Sequence, residues 1–184
     1  MAPARRRPLT RTTMLLVAGA LPMSACDAAD PPPQTTTVVA DTPEKETVKV
    51  VLNGETFHLE PALDDATRFL GLGGRKEIAK DGGMLFVFPY AARQSFVMRD
   101  CPIPIDIAYL DPAGRVVRIH EMVPEDPQKP GESDYDYNMR LQRYDSRFPA
   151  QFVVEVAGGR LREIGLGEGD LVKFDVQGLK ARAR

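Results

Sequence analysis

The chain has 184 residues, 43% of them hydrophobic and 27% charged, an ordinary globular composition sufficient for one domain. The formal net charge is -2; without the four arginines that precede residue 26, 20 basic residues face 26 acidic ones, a mildly acidic balance that makes the domain a poor candidate for binding along a nucleic-acid backbone. There are two histidines and two cysteines, and no Cys-x-x-Cys, His-Glu-x-x-His, calcium-loop, Walker or Gly-x-Ser-x-Gly spacing, so the sequence carries no metal, cofactor or nucleophile signature.

Residues 1–13 hold four arginines (Arg5, Arg6, Arg7, Arg11) and no acid, and Met14 to Leu21 follows as an apolar run. The run is too short for a mature bilayer span, which needs about 20 apolar residues, and it suits the apolar core of an export signal. It ends Met23-Ser24-Ala25-Cys26, which resembles a bacterial lipobox. In that class the cysteine is acylated and the chain is cut before it, which makes residues 1–25 a lipoprotein signal peptide and Cys26 the palmitate-type lipidation site. Two or three acyl chains are needed for stable anchoring, since one holds only marginally. The alternative is a plain secretory peptide cut near Ala29, and Arg6-Arg7 hints at twin-arginine export although Pro8-Leu9 fits that pattern poorly. Asp27, directly after the lipidated residue, favours inner-membrane retention in enterobacterial sorting. The expected location is a bacterial cell membrane, with the domain facing the periplasm or exterior. Residues 26–46, with Pro31-Pro32-Pro33 and many threonines, cannot build a core and read as an extended tether.

From residue 47 the pattern becomes that of a folded domain, expected to run to 178 and to end in a frayed basic tail over 179–184. Val48–Leu52 and Thr56–Glu60 flank Asn53-Gly54, a strong hairpin signal. Asp64 or Asp65 can cap a short helix over 66–70 that Gly71 ends, and a basic, weakly helical turn is expected over 75–80. Met84–Phe88 is a continuous apolar run and predicts a buried strand. Further strands are expected at 94–99, 103–110, 115–122, 151–157 and 171–176, with a short helix between 159 and 165. Residues 123–149 predict a long charged loop, a feature often functional or mobile. The fold class is α+β, a single β-rich domain with a curved antiparallel sheet or small barrel and one or two short helices.

Five phrases occur in a specific order: Arg68-Phe69-Leu70-Gly71-Leu72, Gly83-Met84-Leu85-Phe86-Val87-Phe88, Phe96-Val97-Met98-Arg99, Ile103-Pro104-Ile105-Asp106-Ile107 and Gly167-Glu168-Gly169-Asp170. In these the chain resembles domain-of-unknown-function family 192 (the uncharacterised protein family 0127 group), from about Thr67 to Val176. It differs from the usual pattern at Gly73, Val97 and Asp100-Cys101, and in the length of 123–149. The resemblance implies a small β-rich domain, often exported or membrane-anchored, with no established activity and no assigned catalytic residues.

Asp106 is the most informative polar residue. With period two, Ile103, Ile105, Ile107 and Tyr109 share one strand face and Pro104, Asp106, Ala108 and Leu110 the other, so a buried Asp106 needs a partner. Arg68 and Arg99 are candidates. Together the three form a candidate polar site, able to grip an amine or to act as a general base. The structural alternative is a buried ion pair, or a cap on the amides of Asp100-Cys101-Pro102. Met84 and Met98, among Phe86, Phe88 and Phe96, read as core sulfur rather than as soft-metal ligands. His58 and His120 point outward on the strand alternation, Cys101 reads as a small buried hydrophobe without a base, and Asp170 as a turn residue.

No metal or cofactor is expected. Two functions remain open: a non-catalytic module, anchored to the membrane through Cys26, that binds a peptide, glycan or small-molecule ligand, or a small hydrolase or transferase using Asp106 with Arg68 or Arg99. A concave pocket with Asp106 at its floor would favour the enzyme.

Overall fold

The structure, a computed structural model, describes residues 45–184. The expected signal peptide, the lipidation site Cys26 and nearly all of the tether lie outside the described residues.

The elements in chain order are β1 (Val48–Leu52), β2 (Glu55–Ala62), α1 (Asp65–Leu70), β3 (Met84–Ala92), β4 (Ser95–Phe96), β5 (Ile105–Leu110), β6 (Val116–Met122), α2 (Asp134–Arg140), β7 (Tyr144–Asp145), β8 (Ala150–Ala157), α3 (Arg160–Glu163) and α4 (Val176–Arg182). Six strands form one sheet in the order β1-β2-β3-β8-β5-β6, and β4 pairs with β7 in a separate two-stranded ribbon. The α+β class therefore holds, but the sheet is mixed: β2 and β3 run parallel, and the other neighbours antiparallel. A parallel pair cannot be joined by a tight turn. The β2–β3 crossover, residues 63–83, instead carries α1 and an irregular stretch in place of the expected turn of helix over 75–80.

Asn53 and Gly54 make the expected two-residue hairpin, with φ of 43° and 88°, and the Asn53 amide donates to the Ile164 carbonyl at 2.6 Å. Asp64 caps α1, its carboxylate accepting from the Thr67 amide at 2.9 Å. Gly83 is a glycine of necessity, because its φ is +142° and a Cβ there would lie 2.1 Å from the Glu155 carbonyl oxygen. Such close approach sets β3 against β8 where Met84 faces Glu155.

Both faces of the sheet are buried, which is why β5 and most of β8 are buried at every position. One face, with Phe57, Leu85, Ala108 and Val154, packs against Leu161 of α3 and Leu179 of α4. The other, with Met84, Phe86, Ile107, Tyr109 and Val153, is covered by Leu72 of the crossover and Met98. The ladder stays open between its edges β1 and β6, so the sheet is not a closed barrel. Residues 169–173 nevertheless bond both edges: Val51 and Lys173 exchange two main-chain bonds of 2.8 and 3.1 Å, and Val116 bonds Gly169 and Asp170 at 2.8 Å each. One short segment reaching both edges means that the sheet curls.

Several expectations are corrected. The strand expected over 94–99 shrinks to Ser95–Phe96, and 171–176 contributes isolated bridges rather than a strand. Among the described residues, four short helices stand where one or two were expected. The long loop contains α2, capped by Ser133, which accepts from the Asp136 amide at 3.1 Å. The basic tail is helical through Arg182, because Asp175 caps the Gly178 amide and Leu179 is buried.

Candidate functional site

The crossover, β4 with the segment after it, and the end of α2 with Arg143 beyond it leave a cavity of about 480 Å³ over the second face of the sheet. Phe86, Phe88 and Phe96 supply aromatic wall, with Phe86 and Phe96 meeting edge-to-face at 5.0 Å between centroids. Phe69 and Leu70 of α1 border the opening and are exposed. Arg68, Arg99, Arg143 and Cys101 also line it, and Glu155 reaches it from the sheet.

Glu155 is the unexpected member. It faces the second apolar layer from β8, between Met84 of β3 and Ile107 of β5, and is only 5% exposed. Among the described residues no group hydrogen-bonds its carboxyl. Burial pushes its pKa up to about 8, opposed only by the Arg75 guanidinium, so it is mostly protonated at neutral pH and presents a hydrogen-bond donor. Arg75 is itself held by Glu60 in a bidentate pair at 2.6 and 2.7 Å. Cys101 is half-buried, donates its thiol to the Arg99 carbonyl at 3.3 Å, and is pushed up to about 12 by burial and by the Glu155 and Asp100 charges. It is no nucleophile at neutral pH. Tyr109, raised mainly by burial, spends its hydroxyl on the Tyr144 carbonyl at 2.5 Å.

The expected polar site is not assembled. Arg68 and Arg99 share the cavity, but Asp106 lies on the other face of β5. There Asp106 Oδ1 accepts from the Gly159 amide at 2.9 Å and Oδ2 from the Leu161 amide at 2.8 Å. It is 1% exposed; burial raises its pKa and these two bonds oppose the rise. Asp106 thus caps the start of α3, not the turn at 100–102, and its nearest charges are Glu121 and Arg162. Arg68 is saturated by the Val87 carbonyl (2.7 Å), Asp65 (2.8 Å) and the Arg184 carbonyl (2.5 Å). Arg99 stacks over the Tyr137 ring at 5.2 Å and has no carboxylate partner among the described residues. Among the described residues the Arg143 guanidinium meets only the Asn138 carbonyl, at 2.9 Å.

Met84 and Met98 lie in the layer that holds Phe86 and Phe96. His58 is exposed, whereas His120 is half-buried, within 2.9 Å of the Asp145 carbonyl and edge-on to Tyr109 and Tyr144. Asp170 closes its turn by accepting from the Gly167 amide at 2.8 Å. The rule that singled out Asp106, a lone carboxylate in an apolar strand, applies equally to Glu155 within Phe152-Val153-Val154-Glu155-Val156, and that was the available signal.

The fold and cavity are those of a small α+β domain of unassigned activity. The model of the DUF192 family, described as an uncharacterized ACR, matches residues 47–174, and the chain belongs to that family. Two solved structures are similar, each 27% identical. A protein named as a candidate transcription regulator from Sinorhizobium meliloti 1021 aligns with a TM-score of 0.57 over 71% of this chain and 94% of its own. A protein of unknown function from Novosphingobium aromaticivorans DSM 12444 aligns with a TM-score of 0.60 over 70% of this chain and 85% of its own. No curated protein matches.

Proposed function

We propose that this protein is a lipid-anchored, exported binding domain that holds a small ligand in the cavity between α1, β3 and β4 without chemically transforming it. The observation that carries this reading is Glu155: a buried carboxyl with no protein hydrogen bond, opening into an aromatic-walled cavity. A ligand acceptor placed on it adds a hydrogen bond to a group that the fold leaves without a protein partner, worth roughly 0.5–1.5 kcal/mol net. The cavity has the size of a small-molecule site, and it combines an aromatic wall with polar groups, Arg99, Arg143 and Glu155 among them, that line the same space. Anchoring rests on the order of basic segment, apolar run and Met23-Ser24-Ala25-Cys26, with the tether at 26–46 and Asp27 favouring the inner membrane. The hydrolase or transferase alternative loses its base, because both oxygens of Asp106 are committed to the start of α3.

Heteronuclear NMR with a fragment library spanning anionic, neutral and cationic compounds tests the site. Chemical-shift changes are expected to cluster at Phe86, Phe96, Cys101 and Glu155. Changes confined to the surroundings of Asp106, Glu121 and Arg162 would move the site to the other face.

A further inference from the structure

The lining of the cavity is asymmetric in charge. Arg68 is neutralised by Asp65, the one other acidic side chain at the opening. Arg99 and Arg143 have no carboxylate partner among the described residues, and Arg143 is exposed while Arg99 is half-buried. The open end is therefore cationic, and the Tyr137 ring of α2, beneath the Arg99 guanidinium, helps to fix it in place. The closed end is Glu155. The charged and titratable groups near it are Arg75 from the crossover, Cys101 and Arg99 from the segment before β5, Tyr109 from β5 and Arg68 from α1. Phe86, Phe88 and Phe96 stand along the walls.

Resting on the binding reading above, we infer that the cavity takes a small organic anion with a flat apolar body, its anionic group at Arg99 and Arg143, its body among the three phenylalanines, and an uncharged acceptor such as a carbonyl oxygen on the Glu155 carboxyl. A cationic group at the closed end is disfavoured for two reasons. Glu155 would have to give up its proton inside an apolar layer, and the cation would enter past two unpaired arginines. A neutral acceptor requires neither. Donor and acceptor then meet beside the aromatic wall, where a bound apolar body displaces water from both.

Four small probes separate the terms: 4-acetylbenzoate carries all three features, 4-ethylbenzoate lacks the acceptor, methyl 4-acetylbenzoate lacks the anion, and 4-(aminomethyl)benzoate replaces the acceptor with a cation. Titrated onto the full chain, 4-acetylbenzoate is expected to bind about tenfold tighter than 4-ethylbenzoate or the ester. Its affinity should fall about tenfold from pH 7 to pH 9, as Glu155 ionises around pH 8; Cys101 and Tyr109, shifted higher, stay protonated over that range. Glu155→Gln keeps a donor without a charge and should bind equally at both pH values. Arg99→Ala should weaken 4-acetylbenzoate about tenfold and leave the ester unchanged. If 4-(aminomethyl)benzoate binds tightest, with affinity rising toward pH 9, the ligand class is overturned while the cavity remains the site. If no probe of any charge perturbs the cavity resonances, the binding reading falls with it.

Discussion

Asp106 and Glu155 are both carboxyl groups in apolar strands, both nearly sealed from solvent, yet only Asp106 is satisfied by the protein. Asp106 holds two backbone amides at the start of α3. Asp106→Ala removes a helix cap and strands two donors, so a loss of about 2–4 kcal/mol is expected. Asp106→Asn keeps one acceptor oxygen and should cost roughly half as much; an unchanged denaturation midpoint in the alanine variant would defeat the structural role. Glu155 behaves oppositely with pH. Its folded pKa lies near 8 against an ordinary value of 4.5, so between these values the folded state binds a proton that the unfolded state has released. Stability is full below about pH 4.5 and is lost as pH rises to about 8, at up to about 1.4 kcal/mol per pH unit. Glu155→Gln should flatten that slope in melting curves recorded from pH 5 to pH 9. The need for a partner at Asp106 was legible from strand alternation. The identity of the partner was not, since Gly159 and Leu161 lie more than fifty residues away and offer backbone rather than side-chain groups.

At the scale of elements, hydrophobic pattern located the main strands because β5, β8 and the first half of β3 are covered on both faces and read as apolar runs, interrupted only by Asp106 in β5 and by Gln151 and Glu155 in β8. Short helices with mostly exposed faces left a weaker trace. The α2 signal was the spacing of Ser133 and Asp136, a capping pattern set in an otherwise charged stretch. In α4, Gly178 and the basic residues hide a helix whose packing rests on Leu179. The parallel β2–β3 pair was illegible because strand direction is a tertiary property, and with it went the crossover that roofs the cavity. Leu179→Ala should cost about 2–5 kcal/mol as a buried leucine truncation, and chemical denaturation of the variant measures it. A cost near zero would mean that α4 is a frayed tail after all. Gly83→Ala tests the crossover from the other side. With no room against the Glu155 carbonyl, it should destabilise the domain and disturb cavity resonances together.

For the whole molecule, the question is whether the N-terminal segment serves only to hold the domain at a membrane. The described domain receives little from residues 45 and 46. Lys45 pairs with Glu60, which keeps its bidentate bond to Arg75, and Glu46 pairs with Arg182 at 2.5 Å on the surface. Exposed pairs of this kind contribute about 0–1 kcal/mol. A chain beginning at Thr47 should therefore melt within a few degrees of the mature chain and bind the same probes. Location should depend on Cys26 instead. Acylation at that residue would supply the two or more chains that stable anchoring requires. Cys26→Ser should release the protein from the membrane fraction without altering its melting temperature, and mass spectrometry of the native protein should find an acylated N-terminus at Cys26. Continued membrane fractionation of Cys26→Ser, or an unmodified N-terminus near Ala29, would assign the apolar run to an ordinary secretory signal and leave the domain free to diffuse.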